Sequence, residues 1–564
     1  MPGAMSRLAL PRAGALGPRI TADLAVVLVV WAALAALVWP VGDFPLNDDW
    51  SYGRSVEILI HEGRLDLVYA AVPLVSQVLW GALFTLPFGF SFEVLRVSTW
   101  LLGLFGLIAT YFLLRSLRPP TWLALLGTLT LAVNPLYLPL SLTFMTDVPF
   151  VALSLISIAF LAYGLRDSGR WRLALGFLSM LLALLVRQPA IAIAIGFAVA
   201  YAATRPLKLR SILVATLPAV GCAVVLVGYE LVLRRTVGLP PLYNHPFDPL
   251  RFVNGDVVST AVMIIDRLGS QLLYVGILTL PLSLSSLNGL WRRAASPARL
   301  ALVGGAGLVA AVWWLRTSGD IGPLGNVVYD LGVGPPLLRD TYVLGLPHLP
   351  TALPALWVIV GIAAAGGVVL LLACAAISRE SARGRWTSYA EAEPALVIGA
   401  TTAAVSMSFL VLTGFLDRYL LLLIPLGFVC IAPAVGELEE AGYATRAVTI
   451  IAILALAGFT ILATHDYFAW NRARWAAVHH LVEDLQISAA DVDAGYEFYG
   501  WHHQGADSVQ GPVLGWSRQR ADYVVAFGPI DGYREYLRFP FERWLLPGTG
   551  HIFVLQESAT GGTN

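Results

Sequence analysis

Asp48 and Asp49 stand side by side in Asn47-Asp48-Asp49-Trp50-Ser51-Tyr52, directly after the first long apolar run of the chain, residues 24–41. A hydroxyl is a poor nucleophile at neutral pH and needs a positioned base to take its proton, a task that a carboxylate can perform. The same pair also suits the start of a helix, where aspartate complements the macrodipole. Spacing alone leaves both readings open. Tyr52, Arg54 and Glu57 continue at helical spacing up to Gly63, and a second apolar stretch, 72–90, is interrupted by Ser76, Gln77 and Pro87. The segment 42–91 therefore reads as two helices lying on a membrane surface.

Three further polar positions carry chemistry. The apolar runs 173–186 and 190–203 flank Arg187-Gln188-Pro189, and each has 14 residues. At ~1.5 Å per residue each reaches about 21 Å, short of a ~30 Å hydrocarbon core. Arg187 is then recessed, at a cost of ~2.5–3.5 kcal/mol at mid-membrane. An anionic ligand at a broken helix offsets that cost, because guanidinium matches phosphate with two parallel hydrogen bonds; snorkelling to headgroups is the alternative. Arg418 is a second candidate phosphate contact, unless it merely pairs with its neighbour Asp417. Asp147, two residues before Pro149, is either catalytic support or a helix cap. Asp48, Asp49 and Asp147 offer oxygen ligands of the kind that Mg²⁺ or Mn²⁺ takes. Spacing does not bring the three together, so metal dependence stays open and no cofactor is otherwise called for.

The elements that must position these residues lie in lipid. The chain of 564 residues is 57% hydrophobic and 13% charged, with mean hydropathy +0.73. With 36 Lys+Arg against 36 Asp+Glu there is no basic field to attract nucleic acid. Roughly thirteen apolar runs of spanning character fall within 22–463. Arginines recur at every second connection: Arg115/Arg118, Arg166/Arg170/Arg172, Arg205/Lys208/Arg210, Arg292/Arg293/Arg299 and Arg379/Arg383/Arg385. The positive-inside rule makes those loops, and the N-terminus, cytoplasmic. Asp48, Asp147, Arg187 and Arg418 then share the outer side. The three cysteines, Cys222, Cys374 and Cys430, sit in apolar runs and carry no redox or metal signal.

From residue 464 the composition becomes that of a small soluble α+β domain, 464–564, after a transmembrane part, 1–463. Trp470, Ala473, Ala477, Leu481 and Leu485 recur at helical spacing. Segments 523–527 and 551–555 read as strands, the second after a turn at Pro547-Gly548-Thr549-Gly550. His479-His480 and His502-His503 point apart if helical, and His348 reads as an ordinary loop histidine with sugar contact as the alternative.

Asp48-Asp49-x-x-Tyr52 after the first span resembles the motif of the GT-C fold membrane glycosyltransferases. The resemblance is greatest to the bacterial protein O-mannosyltransferase and lipid A aminoarabinose transferase superfamily. Thr146-Asp147-Val148-Pro149, Arg187-Gln188-Pro189, Arg418-Tyr419-Leu420-Leu421, the segment 466–475 and Gly495-Tyr496-Glu497-Phe498-Tyr499-Gly500-Trp501 are similar to members in the same order. The resemblance implies a polyprenyl-phosphate-linked sugar donor and inversion at the anomeric carbon. It implies a glycan, lipid or protein acceptor, on the outer face of a bacterial inner (plasma) membrane. Asp48 would hold the catalytic acidic position, with Asp49 and Asp147 in support and Tyr52, Arg187, Arg418 and Tyr419 binding substrate. The chain departs from the pattern in having Asp49 where relatives often have Glu, and Ala71-Val72-Pro73-Leu74 where a His-Pro motif is usual; those departures bear on sugar and acceptor. Three other classes fit the sequence less well. A secondary transporter calls for mid-span ionisable residues and inverted repeats, which the sequence lacks. A polymerase or ligase of lipid-linked glycans needs outward arginines but no carboxylate pair in the first loop. A membrane-anchored sensor does not need so many spans.

Overall fold

Proline needs no amide partner in a first helical turn and already holds a helical φ, and Pro18 opens helix α1 (Pro18–Val38) in this way; Trp39, in the left-handed region at φ 55°, closes it. In the computed structural model the described residues are 17–558 apart from 68–69, 118, 207, 241–242, 244–255, 289, 291–306, 308–324, 386–392, 438–442 and 503–520. Two short helices follow, α2 (Asp49–Glu62) and α3 (Val75–Phe88), as the broken amphipathic pattern of 42–91 predicts. Then come α4 (Phe92–Ser116), α5 (Thr121–Ala132), α6 (Tyr137–Ser141), α7 (Asp147–Asp167), α8 (Arg170–Leu184) and α9 (Ile191–Thr204). The remaining helices are α10 (Leu209–Arg235), α11 (Val257–Ser283), α12 (Pro354–Arg385), α13 (Pro394–Thr413), α14 (Leu423–Glu437), α15 (Tyr443–His479) and α16 (Tyr496–His502).

Among the described residues nine helices are long and apolar enough to cross a membrane, and three shorter apolar ones accompany them. The chain is a polytopic helical membrane protein. Among the described residues several of the apolar runs expected to span are too short to do so: α5 has 12 residues and α8 and α9 have 15 and 14. The runs around Arg292, Arg293 and Arg299 lie outside the described residues, as do Arg118 and the side chains of Arg379, Arg383 and Arg385.

α4 packs closely against α6 and α7. Gly106 permits this, since a Cβ there would lie 2.4 Å from the Tyr137 hydroxyl, and that hydroxyl donates to Gly103 O at 2.7 Å. The long helices give the body two distinct ends. At one, Arg166 donates to Ser116 O (3.4 Å) and Arg205 to Ser168 Oγ (3.1 Å), gathering three of the basic loops. At the other, the turn after α1 is tied to the start of α4: Phe92 N donates to Asp43 Oδ1 at 2.7 Å, and the Arg96 guanidinium donates to the carbonyls of Gly42 and Phe44.

The C-terminal region is a four-stranded sheet of order β3-β4-β6-β5 laid against α15, with β3 (Val492–Asp493), β4 (Tyr523–Ala526), β5 (Tyr533–Arg543) and β6 (Gly548–Glu557). A small hairpin, β1 (Val328–Tyr329) and β2 (Gly332–Val333), precedes it in the chain. The strands expected at 523–527 and 551–555 are β4 and β6. β5 is an addition, and the turn lies at 544–547, so that Gly548 already pairs with Arg543. From Leu537 to Arg543 every second residue of β5 turns inward, with Leu537, Phe539 and Phe541 packed against the core, and the register slips between Glu535 and Leu537. α15 runs unbroken from its apolar first half through residues 463 and 464 to the polar surface that carries the sheet. There Trp470 meets Phe527 edge-on (5.0 Å between centroids), His465 stacks on Trp544, and Asp466 accepts from the backbone of Trp544 and Leu545.

Candidate active site

Four chain segments far apart in sequence meet at the end of the body that carries the turn after α1. In that turn Asn47 takes a left-handed backbone (φ 57°), which asparagine tolerates better than most residues. Asp48 is the residue before α2, but its side chain makes no cap bond. Its Oδ1 instead accepts from the Tyr496 hydroxyl at 2.8 Å, and its Oδ2 accepts from both terminal nitrogens of Arg418 at 3.2 Å.

Asp49 is sent elsewhere, as the ~100° between successive helical residues requires. It is completely buried, its Oδ1 accepts from Phe144 N at 2.9 Å, and its Oδ2 has no hydrogen-bond partner. Burial outweighs that hydrogen bond and the attraction of Arg96 and pushes its carboxyl up to about 8. At neutral pH Asp49 is therefore mostly uncharged, and its geometry does not bring it to the cluster around Asp48.

Asp147 opens α7, also without a cap bond. It is 1% exposed and accepts from Arg187, which occupies extended backbone (φ −148°, ψ 135°) in the break between α8 and the single turn 188–190. Pro189 disfavours helix in the residues before it, which is why the break falls here. Arg418 lies in the turn Asp417–Leu420 that leads into α14. The buried Asp417 carboxylate is occupied by backbone, accepting from Val327, Val328 and Arg418 N–H groups at 2.7 to 3.1 Å. That frees the Arg418 guanidinium to reach Asp48, so the alternative pairing of Arg418 with Asp417 does not form through side chains.

Tyr419 joins the two ion pairs. The Arg187 guanidinium lies 4.6 Å from its ring centre and that of Arg418 5.5 Å, both within cation–π range. Tyr52, one turn beyond Asp48, is buried within electrostatic reach of Asp48, Arg418, Arg187 and Asp147, and burial raises its phenol above the ordinary value. The result is a neutral quartet of two carboxylates and two guanidiniums flanked by Tyr52, Tyr419 and Tyr496. Asp48 is the more open acid, its side chain 22% exposed against 1% for Asp147.

The partner of Asp48 is thus Arg418, while Arg187 pairs with Asp147. Asp48, Asp49 and Asp147 are not gathered as ligands: among the described residues no group of three or more His, Cys, Asp or Glu is placed to hold a metal ion. Outside the quartet, His348 pairs with the buried Asp340 at 2.8 Å and lines a cavity of about 200 Å³ under the sheet. His479 pairs with Glu483 and also reaches Asp484, the partner of His480; His503 lies outside the described residues.

Sequence reasoning did not place Tyr496 and Glu497 at this site, although they fall in a segment already singled out. Glu497 is fully buried, accepts from Asn47 N at 2.9 Å, and pairs with the equally buried Arg474 at 2.8 Å. The only sequence signal was an acid and two tyrosines in a glycine-bounded run.

Residues 72–232 match the family described as dolichyl-phosphate-mannose-protein mannosyltransferase. The matched segment includes Asp147 and Arg187 but neither Asp48 nor Arg418. No curated protein matches the chain. Among solved structures it is similar to the Saccharomyces cerevisiae protein O-mannosyltransferase Pmt1-Pmt2 complex bound to the sugar donor (16% identity over 42% of this chain and 36% of that one, TM-score 0.33). It is also similar to ArnT from Cupriavidus metallidurans bound to undecaprenyl phosphate (14%, 98% and 100%, 0.40). A third likeness is to the Archaeoglobus fulgidus oligosaccharyltransferase (14%, 83% and 57%, 0.45). The chain thus spans about a third of the yeast chain's length and just over half of the archaeal one's.

Proposed function

We propose that this protein transfers a sugar from a polyprenyl-phosphate-linked donor to a hydroxyl of an envelope glycan, lipid or protein, with inversion at the anomeric carbon. The observation that carries the reading is the juxtaposition of Arg187 and Arg418 around Tyr419, each facing one carboxylate, at a single end of the helical body. A sugar phosphate leaves with negative charge, and guanidinium groups already in place stabilise that charge without reorganising. In the reaction the acceptor oxygen forms its bond to the anomeric carbon as its proton passes to Asp48. The bond between that carbon and the phosphate oxygen breaks, and the lipid phosphate departs with the electron pair toward Arg187 and Arg418.

The donor phosphate competes with Asp48 for Arg418. Binding of one anion therefore frees the other, and the base becomes available when the donor is seated. Asp147, deeper and held by Arg187, supports the arginine. The site faces the extracytoplasmic side of a bacterial inner membrane, by the arginine-rich character of the loops at the opposite end.

The test is transfer of radiolabelled sugar from polyprenyl-phosphate donors by the purified protein in liposomes. Asp48→Asn is expected to lower turnover by about 10²- to 10⁴-fold, the usual worth of a positioned base, and Arg187→Ala to lower kcat as well as donor affinity, because the charge it faces grows as the phosphate leaves. Wild-type turnover by a folded Asp48→Asn protein sinks the base assignment.

A further inference from the structure

Once the donor phosphate takes Arg418, no side chain described in the helical body is left to aim Asp48. A carboxylate with two rotatable bonds would then swing, and a misplacement of about 1 Å can cost about 10²-fold in rate. The C-terminal segment answers this. Tyr496 donates to Asp48 Oδ1 at 2.8 Å, the oxygen that Arg418 does not use. Glu497 holds the preceding amide, Asn47 N–H. Gly500 lies against the Trp50 indole, so close that a Cβ there would sit 2.3 Å from the ring. The Trp501 carbonyl accepts from Arg54 at 3.1 Å, and the Arg54 guanidinium stacks 4.1 Å from the centre of the Trp501 ring. Contacts thus run in step along both segments, 496–501 over 47–54.

The clamp is itself anchored. Tyr496 N donates to Leu337 O at 3.1 Å, and Trp50, Leu337 and Tyr496 bury one another, with the Trp50 and Tyr496 rings edge-on at 5.8 Å. Arg474, on α15, donates to Ala494 O twice (2.9 and 2.6 Å) and to Glu497, with both charged groups fully buried. A buried pair held this way fixes geometry more than it adds stability.

We propose that residues 496–501 form a positioning clamp on the Asp48 turn, and that the Tyr496 hydroxyl is the positioning group that keeps Asp48 aimed at the acceptor while Arg418 serves the phosphate. The inference rests on the reading of Asp48 as base and adds to it a function for the C-terminal segment. Tyr496 touches neither donor phosphate nor anomeric carbon in this scheme; it acts through Asp48.

The experiment measures turnover, and the affinity and stoichiometry of binding of a labelled polyprenyl-phosphate sugar, for wild type, Tyr496→Phe, Glu497→Gln and Asp48→Asn in liposomes. Tyr496→Phe removes one oxygen and leaves the packing of its ring. The clamp predicts that kcat falls by about 10- to 100-fold while the protein binds one donor per chain with affinity within about twofold of wild type. Glu497→Gln, which keeps the acceptor for Asn47, is expected to fall less. Loss of donor stoichiometry in proportion to the loss of rate in Tyr496→Phe marks a merely structural role and overturns the proposal. Wild-type turnover by Tyr496→Phe beside an inactive Asp48→Asn overturns the clamp alone. Wild-type turnover by Asp48→Asn overturns the base reading and the clamp with it.

Discussion

Adjacent aspartates after the first span have opposite environments: Asp48 meets a guanidinium and a phenol at a partly open surface, while Asp49 meets one amide in a closed interior. The buried carboxyl keeps its proton to about 8, against 3.8 for the unperturbed group. The folded protein then binds more protons than the unfolded chain between those values, so this residue's contribution to stability declines as pH rises through that window. An asparagine side chain in the same place has no proton to lose. Asp49→Asn is therefore expected to gain on wild type, on the order of 1 kcal/mol per pH unit, as pH is raised from 5 to 8. Melting curves in detergent across that range check it, and a constant difference between the two proteins would show Asp49 charged throughout. At this scale the sequence made Asp48, Asp147, Arg187 and Arg418 legible as polar residues out of place beside apolar runs. Which acid meets which arginine was not legible, because Asp48 and Arg418 are 370 residues apart and the pairing depends on how Asp417 is occupied by backbone.

Short elements, rather than spans, do the positioning. α2 begins at the turn that holds Asp48, the 188–190 turn reverses the chain between α8 and α9, whose far ends come back together where Arg205 reaches Ser168, and the Asp417–Leu420 turn delivers Arg418. Proline and the shortness of the flanking runs made the break at Arg187 readable from sequence. α16, of seven residues, was not, since a helix that short has no periodicity to detect and its docking is against residues some 450 positions earlier. Its fit is nonetheless close. Gly500→Ala forces α16 away from the buried Trp50 ring, an overpacking that costs about 1–3 kcal/mol. Turnover and melting temperature are expected to fall together in this variant, in contrast to Tyr496→Phe. A Gly500→Ala protein with the wild-type melting temperature would mean that α16 does not press on Trp50.

The molecule as a whole has a charged end and a basic end, and the alternation of arginine-rich loops announced this before any helix was placed. α7 runs the full distance between them, from Asp147 to Asp167, and Asp167 pairs with Arg172. If the quartet faces outward, Glu62→Cys, at an exposed position near the Asp48 end, reacts with a membrane-impermeant maleimide on intact cells. Arg170→Cys, exposed at the basic end, reacts only after permeabilisation. Cys222 and Cys374 are buried and contribute little background. The reverse labelling pattern would turn the protein over. The number of spans was the least legible property, because apolar runs of 12 to 15 residues resemble spans in composition and differ from them only in reach.

α15 passes without interruption from the apolar body to the sheet, carrying Arg474 in its second half. That continuity governs how such proteins can be recombined. A chimera cut near residue 464 would have to match helical phase across the junction, because each inserted or deleted residue rotates the C-terminal part by about 100° and shifts it by about 1.5 Å. One residue of mismatch would carry Arg474, and Tyr496 behind it, away from the first turn. The tail is exchangeable only together with the span that bears it.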